Sequence, residues 1–349
     1  YTLKDGAHFS REFIIMLLAI FLGIIAALFL SYFDYQVYTK FWPVIAVFCV
    51  IIMLVLFKWG TGPSSRPDAR TWLSIGPINF QPSELVKIGF IITFGVHLDK
   101  VKEKINNIFS ILQLGAHAAV PIVLVAATGD MGSALVFMVI AIVMMFVAGV
   151  HWGYFLGGIA LVGAATPLIW TYVLKQLQKD RFLALIYPDL YPDIIYQQQR
   201  GLNAIGAGGI TGQGLFKGAY TQAGAVPESQ NDMIFSVVGE ELGFIGCITA
   251  LLLIVLITVR IIYVGKKSSE QSTNLICTGM AAMIIGQMII NVGMCLMLLP
   301  VIGITLPFFS AGGSSNLCVY LGIGIVMSIY RHNCDTGAVN IRVYDSLKK

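Results

Sequence analysis

Charge is what this sequence has least of. Only 11% of its 349 residues are Asp, Glu, Lys or Arg, where a water-soluble globular chain carries about 25%. So little charge cannot dress a soluble surface, and 57% of the residues are hydrophobic. Both observations point to an all-α polytopic membrane protein, whose length counts spans of about 20 apolar residues rather than globular domains. A large excess of basic charge is missing too. The formal net charge of +4 is too small to suggest a nucleic-acid partner and fits basic loops on one side of a membrane.

Other absences narrow the class further. The six cysteines are Cys49, Cys247, Cys277, Cys295, Cys318 and Cys334. None forms a Cys-x-x-Cys pair and five lie in apolar runs, which argues against a disulfide framework or a zinc site and leaves them as small hydrophobes. There is no fixed-period repeat, no low-complexity tract and no inverted copy of one half in the other, which counts against a repeat-built transporter. No small-residue cleavage site follows the apolar segment 13–33, so it reads as a true span and not a signal peptide. The first residue, Tyr1, is not Met, so the start is read as trimmed or as missing an upstream piece. Phosphate-binding motifs fail as well. Gly209 to Gly214 fits the first half of a P-loop, but Leu215 and Phe216 follow it; a dinucleotide turn begun at Gly206 ends on Thr211 instead of glycine.

What is present is a series of about nine apolar runs of spanning length, near 12–33, 41–58, 81–97, 108–127, 131–149, 152–174, 233–263, 274–299 and 304–330. The last is interrupted by "PFFSAGGSSN" and reads as a re-entrant piece followed by a helix. Lys100, Lys102 and Lys104, then Arg260, Lys266 and Lys267, then Arg331, Arg342, Lys348 and Lys349 fall on one face. That face is expected to be cytoplasmic, with the N-terminus outside and the C-terminal tail 331–349 inside. The whole chain, 1–349, is expected to form a single integral membrane domain. Its one very long connection, 175–232, is expected to be an extracellular loop, and loops of that length are functional or disordered.

Five stretches carry chemistry-bearing residues. In "FQPSELVK", Pro82 suits a first helical turn, Gln81 or Ser83 suits its cap, and Glu84 and Lys87 share one helix face. The bland reading is an interfacial helix-start pair, or else Lys87 snorkelling. In "ATGDMGSALV", Asp130 reads as a tight turn or as a contributor to a cavity. In "YQQQRGLNAIGAGGITGQGLFKG", many glycines allow the backbone to approach a ligand closely or to turn sharply. Gln197, Gln198, Gln199, Arg200, Asn203 and Lys217 surround them with donors suited to an anionic headgroup; the alternative is a flexible surface loop. In "PESQNDMIFSVVGEELG", Glu228 and Asp232 precede an apolar run and Glu240 and Glu241 lie about two turns into it. Asp232 reads either as an acid favoured by the helix dipole or as a functional group. The deeper acids need partners that the sequence does not name. In "LLPVIGITLPFFSAGGSSN", the prolines and glycines break the helix, and Ser314 and Ser315 can satisfy freed backbone groups or contact a ligand.

Together these stretches, in this order and over residues 15–330, resemble the SEDS family (shape, elongation, division and sporulation proteins), which includes RodA and FtsW. The resemblance implies ten spans, one more than the apolar runs give. It implies a peptidoglycan glycosyltransferase in the bacterial cytoplasmic membrane that polymerises lipid II beside a class B penicillin-binding protein. It assigns Asp232 as the catalytic acid of the family's signature and matches Glu84, Lys87, Asp130-Met131-Gly132 and Gly312–Ser315 to its other motifs. Asn231 and Met233 depart from the residues that many members carry there, although the acid itself is kept.

On that footing Asp232 is expected to act as general base at the outer face. Glu84, Lys87, Asp130, Arg200, Lys217, Glu228, Ser314 and Ser315 are expected to bind or position substrate. Lys87, Arg200, Lys217 or a divalent cation (Mg or Mn) would meet the phosphates, and the sequence does not choose among them. The rival readings are a lipid II flippase and a scaffold without activity. The subgroup and the penicillin-binding partner stay open.

Overall fold

The computed structural model describes residues 11–62, 69–76 and 78–346. Apolar runs become helices because only a helix or a closed barrel satisfies its own backbone polar groups in hydrocarbon. In chain order these are α1 (Arg11–Tyr32), the short α2 (Tyr35–Lys40) and α3 (Trp42–Trp59). A small antiparallel hairpin follows, β1 (Leu73–Ile75) with β2 (Ile78–Phe80). Then come α4 (Pro82–Lys100), α5 (Ile108–Ala127), α6 (Met131–Val147) and α7 (Trp152–Leu168, prolonged by a π turn at Ile169–Val173). The remainder is α8 (Gln176–Ile186), α9 (Pro192–Gly208), α10 (Ala219–Gln222), α11 (Ile234–Lys266), α12 (Gln271–Cys295) and α13 (Gly313–Ser346).

Each of the nine expected apolar runs therefore contains a helix among the described residues. Seven helices there are long and apolar enough to cross a membrane, and the protein is an all-α polytopic membrane protein. Helix α6 is apolar but shorter. Helix α4 has 19 residues, enough for about 28 Å of rise, but it carries Glu84, Lys87 and Asp99. Two boundaries move. The chain from Leu296 to Gly312 is not helical, so the last span starts at Gly313 and not near 304. The long connection 175–232 is largely folded, with α8, α9 and α10 inside it. Lys348 and Lys349 of the basic tail lie outside the described residues. Cys49, Cys247, Cys277, Cys295 and Cys318 are free thiols.

Contacts group the chain into two compact units. One comprises Arg11–Gly149, Ile254–Gly286 and Ala311–Lys349. In it α1 packs along α13. Gly324 lets the two backbones close: a Cβ there would lie 2.7 Å from Ala27 Cα, the small-residue packing that membrane helices rely on. Helix α4 is buried over nearly its whole length, against α3, α5, α6 and α13. The other unit contains Val150–Leu253 and Gln287–Ser310, hence the long connection, the first part of α11 and the end of α12.

Candidate functional site

In the second unit, α11 breaks at Gly243, which has φ 67° and ψ −165°. A break in a helix strands carbonyls before it and N–H groups after it, and each must find a partner. The glycine-rich segment after α9 supplies them. Gln213 N donates to the Glu240 carbonyl and Gly214 N to the Glu241 carbonyl, each at 2.9 Å. On the other side of the break, Phe244 N donates to Gly209 O at 2.9 Å and Ile245 N to Ile210 O at 3.2 Å. The glycines thus allow close approach to the chain's own backbone. Gly212, at φ 81°, sits so near the Glu241 carbonyl that a Cβ would collide with it. Replacing Gly212 with Ala is expected to lower stability by more than about 1 kcal/mol, read as a lowered thermal unfolding midpoint in detergent.

The acids of "GEELG" find their partners in the same segment. Glu240 is fully buried, and its two carboxylate oxygens accept from Tyr220 N at 2.6 Å and Thr221 N at 2.9 Å, among the first N–H groups of α10. Glu241 accepts from Gln222 Nε2 at 3.0 Å. Both acids hold the connection against α11. Gln198, expected as a headgroup donor, is instead buried; its Nε2 donates to Met294 O at 2.8 Å and Leu299 O at 2.7 Å, closing the end of α12.

Asp232 lies two residues before α11 and is half-buried. The backbone around it is pinned on several sides. Asn291 Nδ2 donates to the Asp232 carbonyl at 2.8 Å and to Ile304 O at 2.7 Å, and Cys295 Sγ donates to the same Asp232 carbonyl at 3.6 Å. Ser310 Oγ donates to Asn231 O at 2.8 Å and accepts from Leu306 N at 2.8 Å. Glu228 has φ 51°, a left-handed conformation that costs a non-glycine residue about 1 kcal/mol or more. It is held by Asn231 Nδ2 donating to its carboxylate at 2.8 Å and by the amides of Asn231 and Met233 donating to its carbonyl. These bonds fix the turn through backbone atoms, and so fix where the Asp232 side chain starts. Arg200 is stacked over the Tyr196 ring at 5.1 Å and Lys217 is exposed. Sequence reasoning missed Asn291, Ser310 and Cys295 as the anchors of this turn; a lone Asn in the apolar run "IINVGMC" was the available signal.

The first unit gathers the other expected residues where α4, α6 and α13 begin. Asp130 caps α6, Oδ1 accepting from Ser133 N at 3.0 Å. Its Oδ2 accepts from Gln81 Nε2 at 2.8 Å and Ser83 Oγ at 3.0 Å. Neither Gln81 nor Ser83 therefore caps α4 with its side chain, although Pro82 does occupy its first turn. Gln81 N donates to Ser314 Oγ at 3.1 Å, and Ser314 Oγ donates to Asn79 O at 3.3 Å, so the start of α13 is tied to the start of α4. Ser315 is buried beside it in sequence. One turn into α4, Lys87 Nζ donates to Glu84 Oε1 at 2.7 Å. Lys87 is 0% and Glu84 5% exposed, so this is a buried ion pair and not a snorkelling lysine. Asp130→Ala is expected to destabilise by about 2 kcal/mol, because it removes a helix cap and strands the donors of the buried Ser83 and the half-buried Gln81. Asn at the same position should retain much of the stability, as thermal unfolding of the two variants would show.

With this geometry in view, residues 3–335 match the family model FtsW/RodA/SpoVE, described as cell cycle proteins. The chain belongs to that family. Stage V sporulation protein E of Bacillus subtilis is 31% identical over 344 residues, covering 95% of this chain and 90% of that protein. Peptidoglycan glycosyltransferase MrdB of Escherichia coli is 28% identical over 314 residues, covering 89% and 83%. Among solved structures, a chain from work on how a peptidoglycan synthase complex coordinates polymerization and crosslinking superposes with a TM-score of 0.79 at 26% identity, covering 92% of this chain and 90% of that one. The rod shape determining protein RodA of Thermus thermophilus shares the fold, with a TM-score of 0.69 at 24% identity and coverage of 94% and 90%.

Proposed function

We propose that this protein is a peptidoglycan glycosyltransferase that polymerises lipid II, with Asp232 as general base. A sugar hydroxyl loses its proton to the Asp232 carboxylate as its oxygen bonds to the anomeric carbon of a second lipid-linked sugar. The bond from that carbon to the pyrophosphate oxygen breaks, and polyprenyl pyrophosphate leaves with the electron pair. Pyrophosphate needs little protonation to leave, so one carboxylate suffices and the paired acids of glycosidases are not required. The observation that carries the reading is the turn at 228–233. Its backbone is held by Asn291, Ser310 and Cys295 while the Asp232 side chain remains half-buried. Fixing a base through its main chain leaves only two side-chain torsions to bring its carboxylate to the hydroxyl, which favours proton transfer.

The departing phosphates need cations. Of the three proposed, Lys87 is buried and ion-paired, whereas Lys217 is exposed and Arg200 half-buried; Arg200 and Lys217 are our assignment. Glu84, Asp130, Ser314 and Ser315, joined by Lys87, take a positioning role, and Glu228 shapes the catalytic turn. Among the described residues no three His, Cys, Asp or Glu side chains are grouped to hold a metal ion. A divalent cation would then rely on one or two carboxylates plus the substrate's own phosphates, as Mg commonly does, and no step here is routed through it.

The membrane is the bacterial cytoplasmic one, with the connection 175–232 outside, the C-terminus inside and a class B penicillin-binding protein as partner. The test is purified protein with labelled lipid II, with and without such a partner. Glycan polymer is the expected product. Movement of lipid II between leaflets with no polymer under either condition would replace the polymerase reading with a transporter.

A further inference from the structure

A second feature lies within the first unit and shares no lining residue with those assigned above. Between the later part of α11 and α13 runs a cleft of about 420 Å³. Leu256 and Ile257 line it on α11, and Ile323 and Met327 on α13; Arg260 and Tyr330 share the lining, and Val264 continues it a turn beyond Arg260. The guanidinium of Arg260 lies 5.4 Å from the Tyr330 ring and 5.1 Å from that of Tyr263. Past this contact both segments turn polar, at Lys266 and Lys267 on one and at Arg331 and His332 on the other. Lys267 Nζ, 4.7 Å from the Tyr263 ring, continues the polar end. Among the described residues Arg260 makes no ion pair with a carboxylate; the two ion pairs there are Lys87–Glu84 and Lys102–Asp99.

We propose that this cleft binds an anionic glycerophospholipid, its phosphate on Arg260 and an acyl chain along Leu256, Ile257, Ile323 and Met327. Arg260 lies six residues before the end of α11 at Lys266, or about 9 Å along the helix from it, close enough to the end of the span for a long basic side chain to reach headgroup phosphates. A guanidinium engages a phosphate through two parallel hydrogen bonds and can keep its aromatic stacking while doing so. One cation in an otherwise apolar trough matches the charge distribution of an anionic lipid. A partner's transmembrane helix would instead have to place an acid at the same depth, at considerable cost.

The experiment is native mass spectrometry of the full chain after exchange into equal amounts of phosphatidylglycerol and phosphatidylcholine, comparing wild type with Arg260→Gln and Met327→Trp. Wild type should retain phosphatidylglycerol over phosphatidylcholine by about fivefold or more, and each variant should lose that preference. The ratio is read on folded, monodisperse protein, so a variant that folds poorly changes yield and not the ratio. Three results would overturn the proposal. One is equal retention of both lipids by wild type, which would leave the cleft to a partner's helix. Another is an undiminished preference in Arg260→Gln. The third is loss of preference in Arg260→Gln but not in Met327→Trp, which would reduce Arg260 to a member of the interfacial belt with no bound lipid.

Discussion

Asp232→Asn should lose glycan polymerisation by a factor of about 10² to 10⁴, the range expected when a positioned general base is removed, and should leave the fold intact. The second half of that expectation follows from how the turn is built. The bonds from Asn291 and Cys295 end on the Asp232 carbonyl and that from Ser310 on the Asn231 carbonyl; none of these is altered by the substitution. Asn keeps the size of Asp while removing its charge and its capacity to take a proton. The measurement pairs polymer yield from labelled lipid II with the thermal unfolding midpoint of the same preparation. Lost polymer at an unchanged midpoint is the expected outcome. Wild-type polymer yield would remove Asp232 from the mechanism. Asn291→Leu provides a useful contrast, since it leaves the carboxylate in place and releases the backbone behind it.

The same turn shows how far the sequence could be read. Asp232 was legible as an acid at the mouth of an apolar run, and the family resemblance ranked it first. The groups that hold it were not. Asn291 and Ser310 lie 59 and 79 residues beyond the groups they anchor, and nothing local announces such a pairing. The helices were legible because about 20 apolar residues suffice to specify each one. The break at Gly243 was not, because a glycine in an apolar run is common here and what makes this one a break is the segment 209–214, some thirty residues earlier in the chain. For the same reason Glu240 and Glu241 could be read as acids in need of partners but not matched to any. The partners of Glu240 are backbone amides, which any residue but proline carries. The glycine density was legible as sharp turns or close approach; Gly209, Gly212 and Gly214 do turn the chain, and the group they bring close is the backbone of α11.

The other large effect is expected at Lys87, and it concerns stability. Lys87→Met should destabilise the protein by about 3 to 5 kcal/mol, because it leaves the Glu84 carboxylate in a buried site without its cation. The sequence-level reading of a snorkelling lysine predicts almost nothing, since a snorkelling side chain already keeps its charge in water. Full burial of Lys87 and the 2.7 Å contact decide between the two. The double variant Glu84→Gln, Lys87→Met sharpens the test. With both charges gone no uncompensated ion remains, and replacing a buried pair by uncharged groups of similar volume is often close to neutral. The double variant should therefore unfold at a higher temperature than Lys87→Met alone, by a margin that a surface pair, worth about 0 to 1 kcal/mol, would not produce. Polymerisation assayed on the double variant then separates two roles for these residues. Recovered stability with recovered activity would make the pair a device for holding the start of α4. Recovered stability without activity would mean that the charges themselves serve the substrate.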